Sequence, residues 1–225
     1  MSRCSVVLGV LLAALLPACG QGDPSPPAPP PQAPVATPAP ADTARPAAIP
    51  REALAYRDNF IRIWRYYFAY AESPNVGFAQ VHQESRWKTS AKSKFAIGIA
   101  QFTPATASQY AKILPAEVQA QCPTKMGCPT DPNWALNALS LYDYHLHRDL
   151  TWAATNDDRW RLALAGYNGG MHWLLRERTK ANNSTHWIDI ANACMRSVDA
   201  CKENRGYPVV IIEKWRPLYR TWLGM

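Results

Sequence analysis

Glu84, one of 17 acidic residues in this chain of 225, has a setting that suggests chemistry. Phe78, Val81 and Glu84 recur at spacings of three, so on a helix they share one face, and Trp87 follows at the same interval. A carboxylate on an apolar face needs a reason, because charged side chains are seldom buried unpaired. One reason is an ion pair with a nearby arginine. The other is that burial disfavours the charged form, raises the pKa and leaves a carboxylic acid able to give up a proton near neutral pH. No acidic residue occurs from Arg86 to Ala116, so the following segment supplies no second carboxylate. Asp131 or Asp143 could arrive only through folding.

Apolar spacing and capping residues outline the elements that must position these groups. A helix is expected over 51–72, with Leu54, Phe60, Ile61, Trp64, Tyr67, Phe68 and Ala71 near one face and Ser73-Pro74-Asn75 at its end. A second, over 75–88, carries Glu84. The mixed, glycine-containing stretch 89–102 suits a small hairpin or an irregular loop. Thr103-Pro104 opens a helix over 104–112, with the threonine as cap and the proline in the first turn. Four prolines make 115–132 a loop. Further helices are expected over 133–149, 158–167, 171–180, 186–195 and 208–222. The fold class is therefore mainly α, with at most a small β-hairpin, in one domain over 51–225 that is long enough to bury a core.

Several segments stand in a telling order. Glu84-Ser85-Arg86-Trp87 is followed by Ala91-Lys92-Ser93, by Gly98-Ile99-Ala100-Gln101-Phe102 and by Thr103-Pro104-Ala105-Thr106-Ala107. Leu162-Ala163-Leu164-Ala165-Gly166-Tyr167-Asn168-Gly169-Gly170 comes next, then Glu203-Asn204-Arg205-Gly206-Tyr207-Pro208-Val209-Val210. Over roughly residues 75 to 215 this pattern resembles the catalytic signature of the soluble lytic transglycosylases, lysozyme-like enzymes that cleave the glycan strand of peptidoglycan. The resemblance implies that Glu84 is the catalytic acid and base, with the Ser85 hydroxyl beside it. It places Ser93 at the groove wall and Gln101 where it would hydrogen-bond sugar or peptide groups. It puts the Tyr167 hydroxyl near Glu84 as an orienting group, Asn168 in the same substrate-binding segment, and Tyr207 beside the site. Ala100 stands where the family has methionine, Gly166 where it has alanine, the run from Ser93 to Gly98 is one glycine short, and 113–132 has no counterpart in the pattern.

The resemblance also implies a route. One carboxyl group protonates the leaving oxygen and then acts as base, the muramic acid N-acetyl group assists, and the C6 hydroxyl closes onto C1 to leave a 1,6-anhydromuramyl end. Hydrolysis, as in the goose-type lysozymes, needs a second carboxylate to position a water and is the nearest alternative. A non-catalytic wall-binding lipoprotein is a third. His82-Gln83-Glu84 also spells the H-x-E of zinc-dependent base deaminases, but the Pro-Cys-x-x-Cys that goes with it is absent. His145 and His147, two apart, do not share a helix face. No metal and no cofactor is expected.

The rest of the chain suggests where such a domain would work. Met1-Ser2-Arg3 and the apolar run 4–16 read as an export signal, too short to remain as a membrane span. Leu16-Pro17-Ala18-Cys19 resembles a lipobox, so residues 1–18 are expected to be removed and Cys19 to carry lipid. Gly20 after the cysteine favours the outer membrane. Residues 20–50 hold 11 of the 20 prolines and no aromatic residue, which describes an extended tether, with 19–50 as its span. The net charge of +7 favours an anionic partner such as the cell wall. Scattered basic residues without a nucleic-acid motif argue against nucleic acid. The expected protein is a monomer at the periplasmic face of a membrane, acting on glycan strands. Cys122, Cys128, Cys194 and Cys201 remain in two close pairs. In an exported chain local disulfides Cys122–Cys128 and Cys194–Cys201 are the simplest pairing, with zinc as the competing use of the four thiols. Nine tryptophans and ten tyrosines divide between core and sugar-stacking surface.

Overall fold

A computed structural model of the chain describes residues 48–225. The expected signal segment, Cys19 and nearly all of the proline-rich stretch therefore lie outside the described residues. Helix α1 runs Glu52–Phe68, α2 Asn75–Ser85, α3 Pro104–Tyr110, α4 Ala116–Gln121 and α5 Pro132–Asp149. They are followed by α6 Asn156–Gly169, α7 Met171–Lys180, α8 Trp187–Asn192, α9 Val198–Val209 and α10 Arg216–Leu223. A π-helical stretch, Val210–Trp215, joins the last two.

Capping chemistry sets the starts. The side chains of Thr103, Asp131, Thr155 and Ser197 accept the backbone N–H three residues on, and Pro104 and Pro132 fill the first position of α3 and α5. Helix α5 forms the centre and packs on α1 and α6. Its Trp134, Ala135, Leu136, Ala138 and Leu139 are buried, as are Leu162 to Ala165 of α6. Helix α2 packs on α10 and the π-helical stretch, and α6 packs on α9. Much of the aromatic load is core: Trp64, Trp87, Trp134 and Trp160 are fully enclosed, while Tyr70 and Phe95 are exposed.

The domain is mainly α, as expected. Among the described residues the 89–102 segment holds two isolated bridges, Lys92 with Ile97 and Ile97 with Phe102, and no strand. Two expectations need correction. The proline-rich 115–132 is not all loop, because α4 occupies its first part. That helix buries one side chain, Val118, so periodicity had nothing to detect. The last helical region starts ten residues before the expected 208. Ser197 caps α9, and the helix runs through Pro208. A proline there removes one intrahelical N–H and crowds the preceding turn, and the widened π-helical turns that begin two residues later take up the disturbance.

Candidate active site

Glu84 sits in the last turn of α2. The chain then reverses through two successive left-handed residues, Arg86 (φ 52°) and Trp87 (φ 67°). Such conformations cost about 1–3 kcal/mol each for residues with a side chain, so the surroundings must hold them. Trp87 is fully buried against Phe60 and Phe78, and its indole N–H donates to the Tyr219 hydroxyl at 2.7 Å. His82, one turn back on α2, meets the same hydroxyl at 3.0 Å and stacks on Trp215. The end of α2 is therefore fixed by aromatic packing.

Glu84 is partly exposed, and the partner of its carboxyl is a phenol and not an arginine: the Tyr207 hydroxyl donates to Oε1. Burial pushes the Glu84 pKa up to about 8; the hydrogen bond from Tyr207 opposes that rise, and the nearby Glu203 charge adds to it. The acid therefore remains largely protonated at neutral pH while facing an opening. That opening is a cleft of about 520 Å³. Gln83 and Glu84 of α2 and Asn168 of α6 line one side. Asp199, Lys202, Glu203, Gly206, Tyr207 and Val210 line the other, spaced as one face of α9 and its continuation.

The expected site residues separate on this frame. Glu84, Asn168 and Tyr207 meet in the cleft. Tyr167 donates to the Ala100 carbonyl at 2.8 Å, so the hydroxyl that reaches Glu84 belongs to Tyr207. Ser85 is buried and turned into its own helix, donating to the Val81 carbonyl at 3.3 Å. Ser93 is exposed, and its hydroxyl closes a turn by accepting the Phe95 and Ala96 N–H groups. Gln101 has φ 48°, and its amide nitrogen donates to the carbonyls of Ala91 at 3.1 Å and Gly98 at 2.9 Å. Those donors shape the 98–101 turn and are not free for a sugar.

The two candidate second carboxylates do not reach the cleft. Asp131 caps α5. Asp143 is fully buried, held well above the usual carboxylate range by desolvation against a weak bond from Gln80 at 3.3 Å. The acids that carboxylate counting missed are Asp199 and Glu203; of the two, Glu203, one turn before Tyr207, is the one whose charge acts on Glu84. Its signal was the spacing 199, 202, 203, 206, 207, 210, hidden while Pro208 was read as a helix start.

Cys122–Cys128 and Cys194–Cys201 are disulfides, with Cα separations of 5.9 and 6.0 Å, which removes the four thiols as zinc ligands. Among the described residues no three His, Cys, Asp or Glu side chains cluster as a metal site.

Residues 63–190, more than half of the chain, match the family model described as Transglycosylase SLT domain. No curated protein matches the chain. The matched span contains α2, the 98–101 turn and α6, and it ends before α9.

Proposed function

From the premise that this chain belongs to the transglycosylase SLT domain family, whose activity is on peptidoglycan glycan strands, we propose that it cleaves the MurNAc–GlcNAc β-1,4 bond and leaves 1,6-anhydroMurNAc ends. The observation that carries this reading is Glu84: a carboxyl that opens onto a cleft, kept largely protonated by burial, with a phenol holding one oxygen. Glu84 gives its proton to the leaving GlcNAc oxygen as the glycosidic bond breaks and positive charge grows at C1. The carboxylate so formed accepts the proton of the muramyl C6 hydroxyl as that oxygen bonds to C1. The proton count closes on one residue, and no water enters. Tyr207 supplies a hydrogen bond that strengthens when Glu84 is charged, between the two half-reactions.

A second reading is hydrolysis, and Glu203 favours it, because of the two further carboxylates on the cleft, Asp199 and Glu203, it is the one whose charge acts on Glu84. Digestion of purified sacculi in ¹⁸O-water separates the two. Anhydro ends without label are expected, lost in Glu84→Gln and kept in Glu203→Gln. Label in new reducing muramyl ends, abolished by Glu203→Gln, would establish the hydrolase.

The same reading makes the domain a monomer held through a lipid on Cys19 and the 19–50 tether at the periplasmic face of the outer membrane. Cys19→Ser should then move the protein out of the membrane fraction; wild type recovered in the soluble fraction would refute the anchor.

A further inference from the structure

Asn168 is held from behind by polar groups that lie mostly beyond the matched family span. Its Oδ1 accepts from Asn204 Nδ2 at 3.0 Å, and the same nitrogen donates to the Ala165 carbonyl at 2.8 Å. Asn204 Oδ1 accepts from Arg196 Nη2 at 2.5 Å. Arg196 in turn pairs with Glu177 of α7, through Nε at 3.2 Å and Nη2 at 3.4 Å, and Glu177 also accepts the Met195 N–H at 3.2 Å. Asn204 and Glu177 are 4% and 3% exposed. A Cβ on Gly169 would fall 2.2 Å from Arg196 Nη1 and 2.5 Å from Asn204 Nδ2, so guanidinium and amide fill the space that this glycine leaves at the end of α6. Arg196 lies inside the loop closed by Cys194–Cys201.

The chemistry of the partners fixes which way each amide faces. A guanidinium only donates and a backbone carbonyl only accepts. Arg196 therefore demands the oxygen of Asn204, and Ala165 demands its nitrogen. That nitrogen then demands the oxygen of Asn168.

We propose that Arg196 is a positioning residue for cleavage: through Asn204 it holds the Asn168 amide with its oxygen inward and its N–H groups toward the cleft, where they meet an acceptor oxygen of the bound glycan. The proposal rests on the reading of the cleft given above. Glu177 and the Cys194–Cys201 loop keep the guanidinium in place. Buried ion pairs return little net stability for the desolvation they require; here the pair sets the polarity of a group that touches substrate.

The test is a double-mutant cycle on the full chain with soluble uncross-linked glycan strands, with melting temperatures taken in parallel. Arg196→Ala and Asn168→Ala should each lower kcat/KM by roughly tenfold or more, and the double variant should be no worse than either. Asn168→Asp keeps the bond to Asn204 but shows an oxygen to the cleft, so it should be as poor as Asn168→Ala. Should Arg196→Ala not fold, Glu177→Gln and Arg196→Lys run through the same cycle. Multiplying losses, full activity of Asn168→Asp, or normal turnover by the Arg196 or Asn168 variants would overturn the inference. Normal turnover by Glu84→Gln would instead overturn the cleft reading beneath it.

Discussion

The turn over residues 98–101 and helix α9 each hold a tyrosine of the site, and different forces seat them. The turn accepts the Tyr167 hydroxyl on the Ala100 carbonyl and rests directly on backbone: Gly98 has φ 83°, and a Cβ there would lie 1.7 Å from the Pro129 carbonyl oxygen. Close backbone contact holds it, together with the hydrogen bonds of Gln101 and Tyr167, behind the Cys122–Cys128 loop. Helix α9 carries Tyr207 and is seated on α6 through Asn204, Arg196 and Glu177, behind the Cys194–Cys201 loop. A segment seated by close contact tolerates a change of charge but not a methyl group. A segment seated by oriented polar groups is sensitive to the loss of one partner, and to a methyl group only where those groups fill the space, as at Gly169.

Glycine substitutions should show the largest contrast. Gly98→Ala combines a strained φ with a backbone collision and should lose about 2–5 kcal/mol of stability in urea unfolding. Gly206, inside α9, has nothing within 4 Å of its missing Cβ. Gly206→Ala should gain about 0.5–1 kcal/mol from helix propensity while narrowing the cleft. Equal losses at both positions would break the comparison.

Removing the disulfides sharpens it further. Loops of six and seven residues' separation should contribute ~2 kcal/mol each in the chain-entropy model. Cys122→Ala/Cys128→Ala should lower the melting temperature and leave kcat/KM of the folded protein near wild type. Cys194→Ala/Cys201→Ala should lower both, because its loop contains Arg196. Matching activity in the two double variants would show that the second loop only staples.

The smallest effect lies in the pH profile. Glu84 must be protonated to act as the acid, so turnover should fall as pH rises through about 8. The hydrogen bond from Tyr207 favours the charged carboxylate and lowers that pKa. Tyr207→Phe should therefore move the alkaline limb to higher pH. Tyr167→Phe loses a bond to a backbone carbonyl and should leave the limb where it is. A limb that follows Tyr167 would reverse the roles of the two tyrosines.

The order of the helices other than α4, the cap at Thr103 and the apolar helix face that carries Glu84 were legible in the chain because each rests on neighbours a few residues apart. Phe78, Val81 and Glu84 share a face by helical period alone, and cysteines six and seven apart can close locally. Helix α4 and the part of α9 before Pro208 were not legible. One buries a single side chain, and the other runs into a proline, Pro208, whose effect depends on the widened turns that follow.

Sequence by itself determined a mainly helical domain of this family, with one acid poised on an apolar helix face. Tertiary structure decided which tyrosine reaches that acid, that Gln101 and Ser93 serve their own turns, that Asp143 is sealed in the core while Glu203 opens onto the cleft, and which way Asn168 faces. Residue type and spacing specify what a side chain can donate or accept. Its partner is chosen by packing between helices far apart in the chain, as when Tyr207 meets Glu84 across 123 positions.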